Sequence, residues 1–137
     1  MLVRVKSTGE IKKVHGSDQD GNLYVHDINN KEKIETYKSE ELDLHPKIYI
    51  AGKVNGLQNY EEIFAKAERN LVSRGYRVMN PAVLGKGFDY EVYLPICLLM
   101  LQACDAIYML SNWTDSKGAK VELEYAKAQD KTIIYQD

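Results

Sequence analysis

Apolar and polar positions follow two different rhythms in this chain, and the change falls at His45-Pro46. Upstream, short apolar and β-branched runs alternate with turn formers. Leu2–Val5 is followed by Ser7-Thr8-Gly9, residues 11–15 by a polar turn over 18–22, residues 23–26 by Ile28-Asn29-Asn30, and a last run spans 33–37. Runs of this length between Gly, Asn and Asp predict antiparallel hairpins, because those residues accept the backbone of tight turns. Residues 1–45 are therefore expected to form a small β-meander or SH3-like barrel. So short a segment buries little apolar surface alone, which points to an assembly or lid role supported by residues 46–137 or by another subunit.

Downstream the period switches between strand and helix. Lys47–Ala51 is a short apolar strand ending at Gly52. Residues 60–74 carry Ile63, Phe64, Ala67, Leu71 and Val72 at helical spacing, and Gly75 ends that helix as a C-cap would. A second strand over 76–79 runs into Asn80-Pro81 and a Gly85-Lys86-Gly87 loop. Residues 90–103 form an apolar helix with Pro95 about one turn in, where proline is better tolerated than in mid-helix. A third strand over 106–110, a helix over 117–129 and a strand at Thr132–Tyr135 complete the series.

Strands alternating with helices across short links predict right-handed crossovers and an α/β fold. We expect a minimal doubly wound parallel four-stranded sheet, in the order 2-1-3-4, over residues 46–137. In such a sheet ligands bind beyond the carboxyl ends of the strands, at the switch point between the first and third. The converging loops are then residues 52–57, 80–90 and 111–118. Tyr49, Tyr108 and Tyr135 lie within strands and are expected in the core.

Composition narrows the classes. With 137 residues, 45% apolar and 28% charged, the chain suits one ordinary domain, or a core with an appendage, and not a large multidomain enzyme. No stretch approaches the roughly 18 uncharged apolar residues of a membrane helix, and Arg4, Lys6, Glu10, Lys12 and Lys13 interrupt any secretory signal, so a cytoplasmic protein with no membrane partner is expected. Cys97 and Cys104, seven apart in one helical pattern, share a face and are expected as buried thiols, not as a disulfide. The net charge of −2 argues against polymeric nucleic acid, so any nucleotide or nucleoside partner is expected to be a small molecule. His15, His26 and His45 show no metal-ligand spacing, so neither a metal nor another cofactor is expected.

Candidate chemistry concentrates in the third loop, which runs from Ser111 through Trp113, Asp115, Ser116, Lys117 and Gly118 to Glu122. Ser116 suits a helix N-cap, and Gly118 lets an anion such as a phosphate approach the backbone N–H groups of the helix start. Glu122 lies six residues after Ser116, about one turn into the helix, near the sugar of a nucleotide held at the cap. The helix dipole is expected to favour its ionised form, as a nucleophile requires. Acidic residues also stabilise helix starts with no catalytic role, so both readings of Glu122 stand. Facing it are Gly52, Lys53, Asn55 and Gly56, which would line the sugar side, while Asn80 opens the second converging loop. Trp113 could stack on a base and Tyr90 and Tyr93 wall the pocket, although each such residue more often serves packing.

Four segments together, I-Y-I-A-G-K-V-N-G, V-M-N-P-A, C-D-A-I-Y-M-L and W-T-D-S-K-G-A-K-V-E-L-E-Y-A, resemble the DUF4406 group, small relatives of the nucleoside 2-deoxyribosyltransferases, over residues 47–136. The resemblance implies that Glu122 attacks the anomeric carbon and holds a covalent deoxyribosyl group, later passed to another base or to water. It also implies that serine at 116 accepts a 5′-phosphate, where enzymes of free nucleosides carry an aspartate; an aspartate does stand next door, at 115. One departure stands out. Active relatives carry an aspartate eight residues before the residue matching Asp105, and here that position is Cys97, a poor proton donor. Asp89 or a neighbouring subunit would have to supply the missing carboxyl. Asp105 itself lies at the far end of its strand and is expected to serve the turn. Relatives assemble, so a homo-oligomer is implied. The resulting expectation is an N-glycosidase or 2-deoxyribosyltransferase of nucleoside 5′-monophosphates; the alternative is a nucleotide-sensing or sequestering module of little or no activity.

Overall fold

Five short strands occupy the N-terminal part of the chain: β1 (Leu2–Val5), β2 (Ile11–Ser17), β3 (Asn22–Asp27), β4 (Asn30–Lys38) and β5 (Leu42–Asp43). The computed structural model describes all 137 residues and divides into two compact units, 1–46 and 47–137. In the first unit the strands pair antiparallel in the order β4-β3-β2-β1-β5. The sheet is an open meander, since no pairing joins β4 to β5. Val3, Val5, Val25 and Leu42 form its buried core, with Val14, Leu23, Tyr37 and Leu44 packed around them.

Lys12 is an exception to that apolar interior, at 3% exposure. Its ammonium pairs with Asp27, with Glu10 at 3.0 Å and with Glu35 at 3.4 Å. Burial alone would lower its pKa, but the three carboxylates outweigh burial and raise it, so the charge is kept.

The second unit contains β6 (Lys47–Ala51), α1 (Tyr60–Ser73), β7 (Arg77–Met79), α2 (Tyr90–Gln102), β8 (Ala106–Met109), α3 (Lys117–Ala128) and β9 (Thr132–Tyr135). Its strands run parallel in the order β7-β6-β8-β9, which is the expected 2-1-3-4. No helix is long and apolar enough to cross a membrane. On one face Tyr49, Ala51, Ile107 and Met109 pack with Leu101 and Cys104 from the α2 end and with Ala119, Leu123 and Ala126 of α3. Strand alternation turns Ile48 and Ile50 to the opposite face, which is left to α1 with its buried Phe64, Ala67 and Leu71.

Capping chemistry sets where these elements stop. Gly75, at φ 92°, lets Tyr76 N–H reach Leu71 O at 3.2 Å while its own N–H reaches Val72 O at 2.9 Å, closing α1 in a Schellman motif. At the amino ends of β6 and β8, the Asp105 carboxylate accepts the Lys47 N–H at 2.8 Å, far from the strands' carboxyl ends. Cys104 is buried and Cys97 half-buried, both as free thiols. Tyr135 corrects the expectation of a core residue: it is half exposed on β9, with its ring 6.0 Å from that of Trp113.

Candidate active site

A cleft of about 1090 Å³ opens beyond the carboxyl ends of β6, β7 and β8. Its walls come from the segments following β6 and β7, from one side of α2 and from the start of α3. The segment after β6 also approaches the segment after β8 very closely. A Cβ placed on Gly52 would stand 2.5 Å from Leu110 Cδ1 and 3.0 Å from Asn112 Oδ1, so only glycine fits there. Asn112 then locks the approach, its Oδ1 accepting the Lys53 N–H at 2.9 Å.

Glu122 stands on the cleft floor at 7% exposure. It belongs to the stripe Ala119, Glu122, Leu123, Ala126, which turns α3 toward the sheet. The Tyr49 hydroxyl, reaching up from β6, donates a hydrogen bond to Glu122 Oε2. No ion pair holds the carboxylate. Burial pushes the Glu122 carboxyl up to about 7, and the bond from Tyr49 opposes that rise without cancelling it. This corrects the expectation of a dipole-stabilised anion. Glu122 is five residues beyond the first helical residue, past the turn over which the dipole acts, while desolvation acts in full.

The residues around this acid are mostly protonated donors. Burial first, then Glu122 and Cys97, raise the Tyr49 phenol well above its ordinary value, so it remains a donor. Burial raises the Cys97 thiol, with Tyr49 opposing and Glu122 adding to the effect. Tyr49 was expected only as core; it is buried, but its hydroxyl belongs to the site.

Ser116 caps α3, its Oγ accepting the Ala119 N–H at 3.1 Å and donating to Gly52 O at 3.4 Å. Gly52, Lys53, Asn55 and Gly56 line the cleft on the β6 side, and Asp115, Ser116, Lys117 and Gly118 on the α3 side. Tyr90 and Tyr93 line it from α2. The Tyr93 hydroxyl donates to Gly85 O at 2.6 Å and accepts the Phe88 N–H at 3.2 Å, which fixes the shape of the loop between β7 and α2. Lys86 ties the same loop to α1 through Glu61 at 2.6 Å.

Three expected residues point elsewhere. Asn80 is buried and spends its Oδ1 on the Ala82 N–H at 2.9 Å, capping a short 3-10 turn. Trp113 lies in a second such turn, which rotates its indole away from the cleft onto the core and Tyr135. Asp89 precedes α2 as its N-cap, exposed and outside the lining; Glu91, two residues on, lines the cleft instead.

Residues 46–135 match the sequence profile described as a domain of unknown function, DUF4406. Among solved structures, a 2-desoxiribosyltransferase from Leishmania mexicana superimposes with a TM-score of 0.54 at 23% identity, over 66% of this chain and 63% of that one. The chain thus spans less than two thirds of that protein's length, and the likeness is one of fold. No curated protein matches the sequence.

Proposed function

The chain belongs to the DUF4406 family, and on that footing we propose that its α/β unit is an N-glycosidase or 2-deoxyribosyltransferase of nucleoside 5′-monophosphates, with Glu122 as nucleophile. The observation that carries this reading is a carboxyl group on the floor of a nucleotide-sized cleft, hydrogen-bonded to a phenol and free of any ion pair.

In the first half-reaction a Glu122 oxygen bonds to the anomeric carbon as the C–N bond breaks. The base leaves with the electron pair and takes up a proton. In the second, water or another base attacks the same carbon, and Glu122 departs as a carboxylate. Tyr49 supports the first step by donating to the ionised form of Glu122, and the surrounding apolar packing keeps bulk water from the ester.

A second reading is favoured by one specific observation. Cys97 occupies the place where the family resemblance implies an aspartate, and its thiol is held neutral beside Tyr49 and Glu122. On this reading the cleft binds nucleotides with little turnover. Each deoxynucleoside monophosphate is to be incubated with the protein and the mixture chromatographed for free base. Release that disappears in Glu122→Ala supports the enzyme. Saturable binding without release selects the binding module, and the absence of both sinks the two readings together.

A further inference from the structure

Tyr90 and Tyr93 open the same helix and line the same cleft, yet their hydroxyls are treated differently. That of Tyr93 is engaged twice, as described. That of Tyr90 is buried and has no protein partner within hydrogen-bonding distance. Native structures rarely bury a hydroxyl in this state, because the desolvation is not recovered. If Tyr90 served packing alone, phenylalanine would fill the same space without that penalty.

The ring's position indicates what the hydroxyl faces. A Cβ on Gly118 would lie 3.4 Å from Tyr90 Cε2 and 3.9 Å from its Oη, so the phenol crosses the first turn of α3 over a residue with no side chain. Glu122, four residues after Gly118, projects from the same face one turn further on. A pentose whose anomeric carbon meets Glu122 would extend its 5′ side about 5 Å back along the helix, toward Tyr90 Oη. Burial first, with Glu122, Cys97 and Glu91 adding, raises the Tyr90 phenol, so the group is a neutral O–H donor. Its natural complement there is an oxygen carrying negative charge.

Resting on the function proposed above, we infer that Tyr90 is a specificity-determining residue whose hydroxyl donates to the 5′-phosphate of the bound nucleotide. Ser116 Oγ is already committed to the Ala119 N–H and Gly52 O, which leaves Tyr90 as an unspent side-chain donor on the 5′ side.

The test compares Tyr90→Phe with the unaltered full-length chain, titrating calorimetrically a deoxynucleoside 5′-monophosphate and the same nucleoside without phosphate. The expected result is a loss of about 10- to 100-fold in affinity for the monophosphate, with the nucleoside little affected and the unliganded melting temperature equal or higher. Equal loss for both ligands would assign the hydroxyl to the sugar and overturn the proposal. Unchanged monophosphate binding, or a lower unliganded melting temperature, would do so too, the latter by showing that the hydroxyl supports the fold. Failure of the unaltered chain to bind either ligand would instead remove the nucleotide reading itself, and this inference with it.

Discussion

The carboxyl of Glu122 is subject to two opposed influences, burial and the hydroxyl of Tyr49, and burial is the larger. For a nucleophile that must be ionised, base release should rise with pH through about 7 and then level off. Tyr49→Phe removes the donor that favours the anion, so the midpoint of that rise should move to higher pH, and a kcat/KM profile would report it. The same group affects stability in the opposite sense. Its folded value of about 7 lies above the ordinary 4.5, so between those values the folded chain holds a proton that the unfolded chain has lost. Stability from this group is therefore complete below about pH 4.5 and declines as pH climbs toward 7. Glu122→Gln lacks the penalty and should gain on the unaltered chain between pH 5 and pH 8, by a few kcal/mol at most. Denaturant unfolding at the two pH values measures this, and a constant difference would contradict it.

Among elements, the close approach behind β6 and β8 governs the site's shape. Gly52→Ala must displace Leu110 or Asn112, so we expect a loss of about 1–3 kcal/mol of stability together with weakened nucleotide binding. Thermal melts with and without ligand would separate the two effects. The parallel unit was readable because its strands are apolar runs, α1 and α3 carry clear stripes and α2 is apolar nearly all round; the element ends differ from the expected ones by at most one residue. Strand β5, two residues long, gave no period to detect and exists through pairing with β1. The burial of Glu122 was also written in the pattern, since it shares a stripe with Ala119, Leu123 and Ala126. Side-chain direction outside regular elements was not. Asn80 caps one 3-10 turn and Trp113 opens another, and the tighter winding of such turns points residues where neither strand nor helix periodicity would. Asn112 and Tyr49 act on partners 59 and 73 residues away, a relation that only the assembled sheet creates.

For the chain as a whole, every residue lining the cleft lies in the second unit. A fragment of residues 46–137 is accordingly expected to keep its α/β circular dichroism and to bind deoxynucleoside monophosphates with an unchanged Kd. Loss of binding in a folded fragment would assign part of the site to residues 1–45.

An acid on the core-facing stripe of α3 has an evolutionary corollary. Leucine or methionine at position 122, together with phenylalanine at 49 so that no buried hydroxyl loses its acceptor, would suit the greasy neighbours better, so a lineage released from the need for turnover gains robustness by discarding the pair. Descendants that have abandoned chemistry while keeping this architecture should carry both replacements and melt at higher temperature.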